Sequence, residues 1–134
     1  MESLSGFIVN KPNDKSKSSQ SIYRGLDRAL NSISSSENFV INFVVDEQFE
    51  DIDIREDEKV LRKNLAISVK FSIKREDDDE EIFNGESLIS SAYNRVAEPY
   101  ANFVNEKDTR DKILLLIIQD IKRQLALFKR NQER

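Results

Sequence analysis

Apolar residues along this chain recur with two different periods, one of a helix and one of a strand, and the changes between them mark out the elements of the fold. Near the carboxy terminus Leu114, Ile118, Ile121, Leu125 and Phe128 step by four, three, four and three, and Ile113 and Ile117 widen the stripe. That spacing keeps them on one helical face and predicts a helix over Glu98 to Arg130. Acidic residues fall early in it and basic residues late, opposing the partial charges of the helix ends. Glu106 with Arg110 and Asp108 with Lys112 form i,i+4 pairs in the favourable order. A shorter helix is predicted from Ser21 to Ser34, where Ile22, Leu26, Leu30 and Ile33 share a face, Ser18 or Ser19 supplies the cap, and Ser34 to Ser36 form the turn.

Between and before the helices the period drops to two. Phe7 to Val9 form a brief strand stopped before Pro12. Phe39, Ile41, Phe43 and Val45 occupy one face of a strand that runs to Phe49, and a change of parity at Ile52 and Ile54 predicts a bulge near Glu50 and Asp51. Leu65, Ile67, Val69, Phe71 and Ile73 alternate with polar partners, as befits an antiparallel strand covered on one side. Arg55 to Lys59 carry one turn, the acidic run Glu76 to Glu81 carries the next, and Ile82 to Tyr93 return as a fourth strand containing Gly85. The order is β-α-β-β-β-α. It predicts an α+β fold: a two-layer α/β sandwich whose mostly antiparallel four-stranded sheet carries two helices on one face.

The length of 134 residues suits a single domain, 1–134, with an ordered core from about 7 to 130 and flexible ends. Charged residues reach 34%, but apolar residues still reach 38% and fall in periodic blocks, which argues against disorder. A net charge of −4 and a pI near 5.0 give no whole-molecule attraction to nucleic acid, and none is expected as a partner. The chain has no cysteine and no histidine. Their absence removes thiol catalysis, Ser-His-Asp triads and most zinc or haem sites, so no catalytic residue, metal or cofactor is expected. Its longest apolar run, Ile113 to Ile118, is far short of the roughly 20 residues that span a bilayer, so no transmembrane segment is expected.

Two surfaces remain as candidate sites. Lys70 and Lys74 lie on the wet face of the third strand, and Arg55, Lys59, Arg62 and Lys63 cluster around its start, together offering a local anion-binding surface. The polar run Asn105 to Lys112 interrupts the apolar stripe of the last helix. With Tyr100 and Phe103 as anchors and Lys107 and Arg110 among its alternating charges, it has the character of a partner interface. The acidic run at 76–81 lacks the ligand spacing and glycine of a calcium loop and is read as a solvated turn.

The segment EPYANFVNEKDTRDKILLLIIQDIKRQLALF, with Tyr100-Ala101 and Ile121-Lys122-Arg123-Gln124-Leu125, resembles the carboxy-terminal part of the lipopolysaccharide-assembly lipoprotein family LptE, in its alphaproteobacterial form. Tyr23-Arg24-Gly25-Leu26 with Leu30 is similar to that family's first-helix region. Leu61-Arg62 leading into Leu65 to Ile73 is similar to its third strand, and Ile82-Phe83-Asn84-Gly85 to its glycine-ended strand opening. The resemblance runs over residues 7 to 129. It implies a non-enzymatic periplasmic protein, lipid-anchored to the inner face of the Gram-negative outer membrane, that plugs and helps assemble the LptD β-barrel and assists lipopolysaccharide transport to the outer leaflet. The family's signal and lipid-bearing cysteine are not in this sequence, so the anchor is expected upstream of it. The resemblance also implies lipid contact near the start of the third strand, where Arg55 and Lys59 stand; Tyr100-Ala101-Asn102 offer no base at the family's second basic position. The alternative reading is a cytoplasmic adaptor that pairs its last amphipathic helix with a partner helix.

Overall fold

A computed structural model describes residues 6–30, 39–53 and 61–132 of the chain. Its elements follow the predicted order: β1 (Phe7–Val9), α1 (Lys17–Ala29), β2 (Phe39–Asp53), β3 (Leu61–Arg75), β4 (Glu81–Arg95) and α2 (Pro99–Gln132). The four strands form one sheet in the order β1-β2-β3-β4. β2, β3 and β4 are antiparallel neighbours, whereas β1 pairs parallel to β2, with Phe7 beside Phe39. A parallel pair needs a crossover, and α1 provides it. The sheet is therefore mixed, with one parallel edge.

Parity decides which side of the sheet meets the helices. Odd-numbered residues of β2 and β3, from Phe39 to Phe43 and from Leu65 to Ile73, are buried together with Ile22 and Leu26 of α1 and Ile113, Leu114, Ile117, Ile121, Leu125 and Phe128 of α2. These side chains make one continuous core, so both helices cover the same face. α1 lies against β1 and β2, and α2 lies mainly against β4. The expected bulge is present as a register shift between Asp51 and Asp53 of β2.

Two glycines mark close approaches. A Cβ at Gly25 would run into Cδ1 of Ile118, so this small residue lets α1 and α2 touch. At Gly85 a Cβ would fall 2.7 Å from Cε1 of Phe71 and 2.8 Å from Oε1 of Gln124, because the Phe71 ring lies over the position its register partner leaves bare. Glycine inside a strand often marks this kind of approach.

The helix starts differ from expectation in an instructive way. Ser16, not Ser18 or Ser19, caps α1, its hydroxyl accepting from Ser19 N–H at 3.2 Å. Ser18 and Ser19 lie within the first turn and are buried, their hydroxyls satisfied by donating to carboxylates: Ser18 to Glu47 and Ser19 to Asp14. α2 starts at Pro99, where the missing N–H costs nothing, and the Glu98 carboxylate accepts from the N–H groups of Tyr100 and Ala101. Ser34 to Ser36, the end of the predicted first helix, lie outside the described residues.

Candidate functional site

The polar interruption of the α2 stripe is where the core ends. Arg110 occupies the stripe position four residues before Leu114, and Glu47 continues the inward series Phe43, Val45 on β2. The two meet across the sandwich. Arg110 Nε donates to Glu47 Oε1 at 2.9 Å, Nη2 approaches Glu47 Oε2 at 3.4 Å, and Nη1 approaches Glu106 Oε2 at 3.4 Å. Ser18 adds its hydroxyl to Glu47, and Tyr93 donates to Glu106 Oε1 at 3.3 Å. α1, β2, β4 and α2 are thus tied together by one hydrogen-bonded network that closes the open end of the core.

Outside this network, α1 and the first half of α2 enclose a groove of about 370 Å³ lined by Lys17, Ser21, Arg24, Phe103, Glu106, Lys107, Arg110, Asp111 and Leu114. Three of the four residues expected at a partner interface, Phe103, Lys107 and Arg110, line it; Tyr100 stands just before them on α2, 74% exposed. Phe103 is 60% exposed, so two aromatic rings stand in solvent within one helical turn. Charges inside the groove are largely paired. Lys107 bonds Asp111 at 2.7 Å, in place of the expected Asp108–Lys112 pair, whose members are both exposed. Among the described residues, Lys17 and Arg24 make no ion pair and leave the rim positive.

The expected anion surface is not assembled in the same way. Arg62, Lys70 and Lys74 sit on the outer face of β3, with Arg62 and Lys70 roughly 26 Å apart along the strand. Lys70 stands opposite Glu86 and Lys74 opposite Glu81 in the β3–β4 register, so each has an acidic neighbour. Lys63 points to the other face, where it approaches Asp51 at 3.7 Å and lies 5.9 Å over the Phe49 ring. Arg55 and Lys59 lie outside the described residues. A second depression of about 580 Å³, around Asn42, Ser72 and Asn84 on the outer face, includes Lys70 and Glu86 together.

Among the described residues, the titrating groups with displaced pKa values all move away from neutrality. Burial opposes the Arg110 charge, but the hydrogen bonds and charges of Glu47 and Glu106 outweigh it and raise its pKa. Burial and the Glu106 charge raise Tyr93, keeping it a neutral phenol. The Asp111 carboxylate raises Lys107. The Ser16 N–H lowers Asp14. At Asp120 burial acts upward but is outweighed by contacts that include the Ser87 hydroxyl, which is close enough to lower the carboxylate although its geometry falls short of a hydrogen bond.

These directions give a definite pH profile. Asp14 and Asp120 bind a proton more weakly when folded, so the stability they add is complete above an unfolded pKa of about 3.9 and is lost as pH falls through their folded values. Tyr93, Lys107 and Arg110 add stability that is present below their unfolded values and lost as pH rises through the folded ones. With no histidine in the chain, thermal unfolding followed by circular dichroism should show a plateau from about pH 5 to pH 9. Asp120→Asn should soften the acid limb alone.

No protein-family model matches the chain, and no curated protein matches it in sequence. Solved structures do. A protein assigned as a lipoprotein, from Caulobacter crescentus CB15, superposes with a TM-score of 0.69 at 17% identity, over 94% of this chain and 92% of the other. A minor lipoprotein from Acinetobacter baumannii gives 0.62 at 12% identity, over 92% and 91%. The rare lipoprotein B from Shewanella oneidensis gives 0.64 at 13% identity, over 96% and 98%. The chain therefore has, end to end, a fold found in lipoproteins of Gram-negative bacteria.

Proposed function

We propose that this chain is a non-enzymatic subunit of the Gram-negative cell envelope that seats within the LptD outer-membrane β-barrel, helps that barrel assemble, and assists lipopolysaccharide transport to the outer leaflet. The observation that carries the reading is the groove at the start of α2. The residues that set this segment apart in sequence, Tyr100 to Lys112, hold the exposed aromatic pair and the Lys107 and Arg110 charges on one surface, in a fold shared over its whole length with rare lipoprotein B. Exposed aromatics flanked by fixed charges are the usual anchors of a protein interface. The outer face of the sheet supports the same reading, since lysines there alternate with glutamates and with Asn42, Ser72 and Asn84. A polar, charge-balanced surface suits a body enclosed by the polar interior of a barrel. On this reading the native protein is held at the periplasmic side of the outer membrane by a lipid on an upstream cysteine. On the same reading lipid contact falls to the basic residues singled out in the sequence, Arg55, Lys59, Arg62, Lys63, Lys70 and Lys74.

Co-expression with the barrel subunit of the same organism, followed by affinity purification from detergent, tests this directly. The two chains should co-purify in fixed ratio, and Tyr100→Glu with Phe103→Glu should lower the recovered complex by tenfold or more while circular dichroism stays unchanged. A barrel that emerges without this chain would remove the proposal.

A further inference from the structure

The two edges of the sheet are treated differently. β1 has three residues and ends three residues before Pro12, which blunts it as a template for pairing. β4 has fifteen residues and carries neither proline nor lysine. Between Glu86 and Arg95 it reads Ser87-Leu88-Ile89-Ser90-Ser91-Ala92-Tyr93-Asn94, with no charge at all. Among the described residues, α2 protects this edge at two points: Gln124 Nε2 donates to the Glu86 carbonyl at 2.9 Å, and Asn105 Nδ2 donates to the Asn94 carbonyl at 3.2 Å. Those contacts show that even-numbered backbone groups of β4 face outward. Leu88, Ser90 and Ala92, which lie between them, have no such partner among the described residues. Leu88 is 62% exposed.

We propose that two copies of this chain pair through the open centre of β4, antiparallel about a two-fold axis at Ser90. This concerns the isolated chain and does not rest on the barrel reading. The argument is self-complementarity. In that register Ser90 faces its own copy, Leu88 faces Ala92 and Glu86 faces Asn94, so apolar meets apolar and no like charges meet. The helix beneath obeys the same symmetry. Leu116, Asp120 and Gln124 follow one another at four-residue spacing on the flank of α2 that reaches the β4 edge, and Leu116 is 44% exposed. Interpolation between the Asn105 and Gln124 contacts puts Ser90 level with residues 114–115, so Leu116 lies nearest the axis. Across that axis Leu116 meets Leu116, and Lys112 of one copy faces Asp120 of the other. The side chains of strand and helix are thus both self-complementary about this axis. The joined sheet has eight strands, and each open edge is then a short β1. The contact is small, at the weak end of protein interfaces, and its equilibrium lies within an accessible concentration range.

Sedimentation velocity of the full chain, from micromolar to near-millimolar concentration, should show a monomer giving way to a dimer. Ser90 is exposed on the outer face, so Ser90→Lys leaves the monomer intact but places two ammonium groups against each other at the axis. It should remain monomeric throughout, as should Ser90→Glu. An equal mixture of the two should recover the dimer. Ser72→Lys, on the same face in the middle of the sheet, should dimerise as the parent does. A parent chain that stays monomeric at every concentration overturns the proposal. A Ser90→Lys chain that still dimerises, or a mixture that does not recover, overturns this register.

Discussion

Replacing Phe128 with alanine should cost about 3–5 kcal/mol of folding stability, a large share of the 5–15 kcal/mol typical of a domain. Phe128 is 4% exposed and sits at the hub of an aromatic cluster. Its ring centroid lies 5.2 Å from Phe39, edge-on at 87°, 5.4 Å from Phe83 and 6.3 Å from Phe7. These rings belong to β2, β4 and β1, so truncation opens a void that touches three strands and cannot be filled by moving one of them. Edge-on and tilted pairs also add roughly 0.5–1.5 kcal/mol each beyond burial. At this chain length the loss corresponds to a fall in melting temperature of about 10–20 °C. Differential scanning calorimetry of Phe128→Ala beside Leu127→Ala, whose side chain is 44% exposed, would measure it. The neighbour should change stability by no more than about 0.5 kcal/mol. Equal losses at the two positions would mean that the aromatic cluster is not what docks the end of α2.

The contrast between those two neighbours also shows what a sequence reveals. Period alone separates Phe128 from Leu127, and it separates the odd residues of β3 from the even ones, because burial on one face leaves a regular trace along the chain. The bulge near Glu50 and Asp51 left such a trace as well, as a change of parity, and it appears as the register shift between Asp51 and Asp53. Capping leaves a weaker trace. Ser16, Ser18 and Ser19 all have the right chemistry, and the choice among them depends on Asp14, two residues before the cap, and on Glu47, a distant residue of β2. Strand ends fade for a similar reason: β3 runs from Leu61 to Arg75 and β4 to Arg95, past the points where apolar alternation stops, because ladder hydrogen bonds continue without it.

The candidate site was legible as a surface and not as a network. Tyr100, Phe103, Lys107 and Arg110 share one side of α2 by spacing, so their proximity needed no fold. The partner of Arg110 did. Glu47 is 63 residues away, and only two small signs point to it: it falls on the inward parity of β2, and Arg110 falls on the inward stripe of α2. A charged residue on each of two facing apolar series is a prediction of a pair, available once the layers are known. The basic residues of β3 show the reverse relation between sequence and space. Arg62, Lys63, Lys70 and Lys74 are close in sequence, yet strand alternation divides them between two faces and strand rise spreads them apart.

Glu47→Ala should destabilise the protein by about 2–3 kcal/mol, more than any substitution at the exposed charges of α2. The change removes two of the three carboxylate oxygens that accept from the Arg110 guanidinium, leaving only Glu106, and leaves the Ser18 hydroxyl without its acceptor. Arg110 is 22% and Glu47 26% exposed, so water relieves part of the cost and holds it below the full value of a buried charge. Arg110→Ala should cost a comparable amount for the complementary reason. Combined as Glu47→Met with Arg110→Met, the pair should lose far less than the sum, because two flexible apolar side chains can extend the core where the charges met. Urea unfolding of the parent, both alanine variants, both single methionine variants and the methionine double variant gives the coupling, expected at about 1–2 kcal/mol. Additive losses would mean that the ion pair is incidental to the fold. The double variant then separates packing from recognition, since it restores the sandwich while stripping the guanidinium from the floor of the groove. If the groove meets the barrel partner through Arg110, the stable double variant should still co-purify poorly, and if the partner is held by Tyr100 and Phe103 alone it should co-purify like the parent.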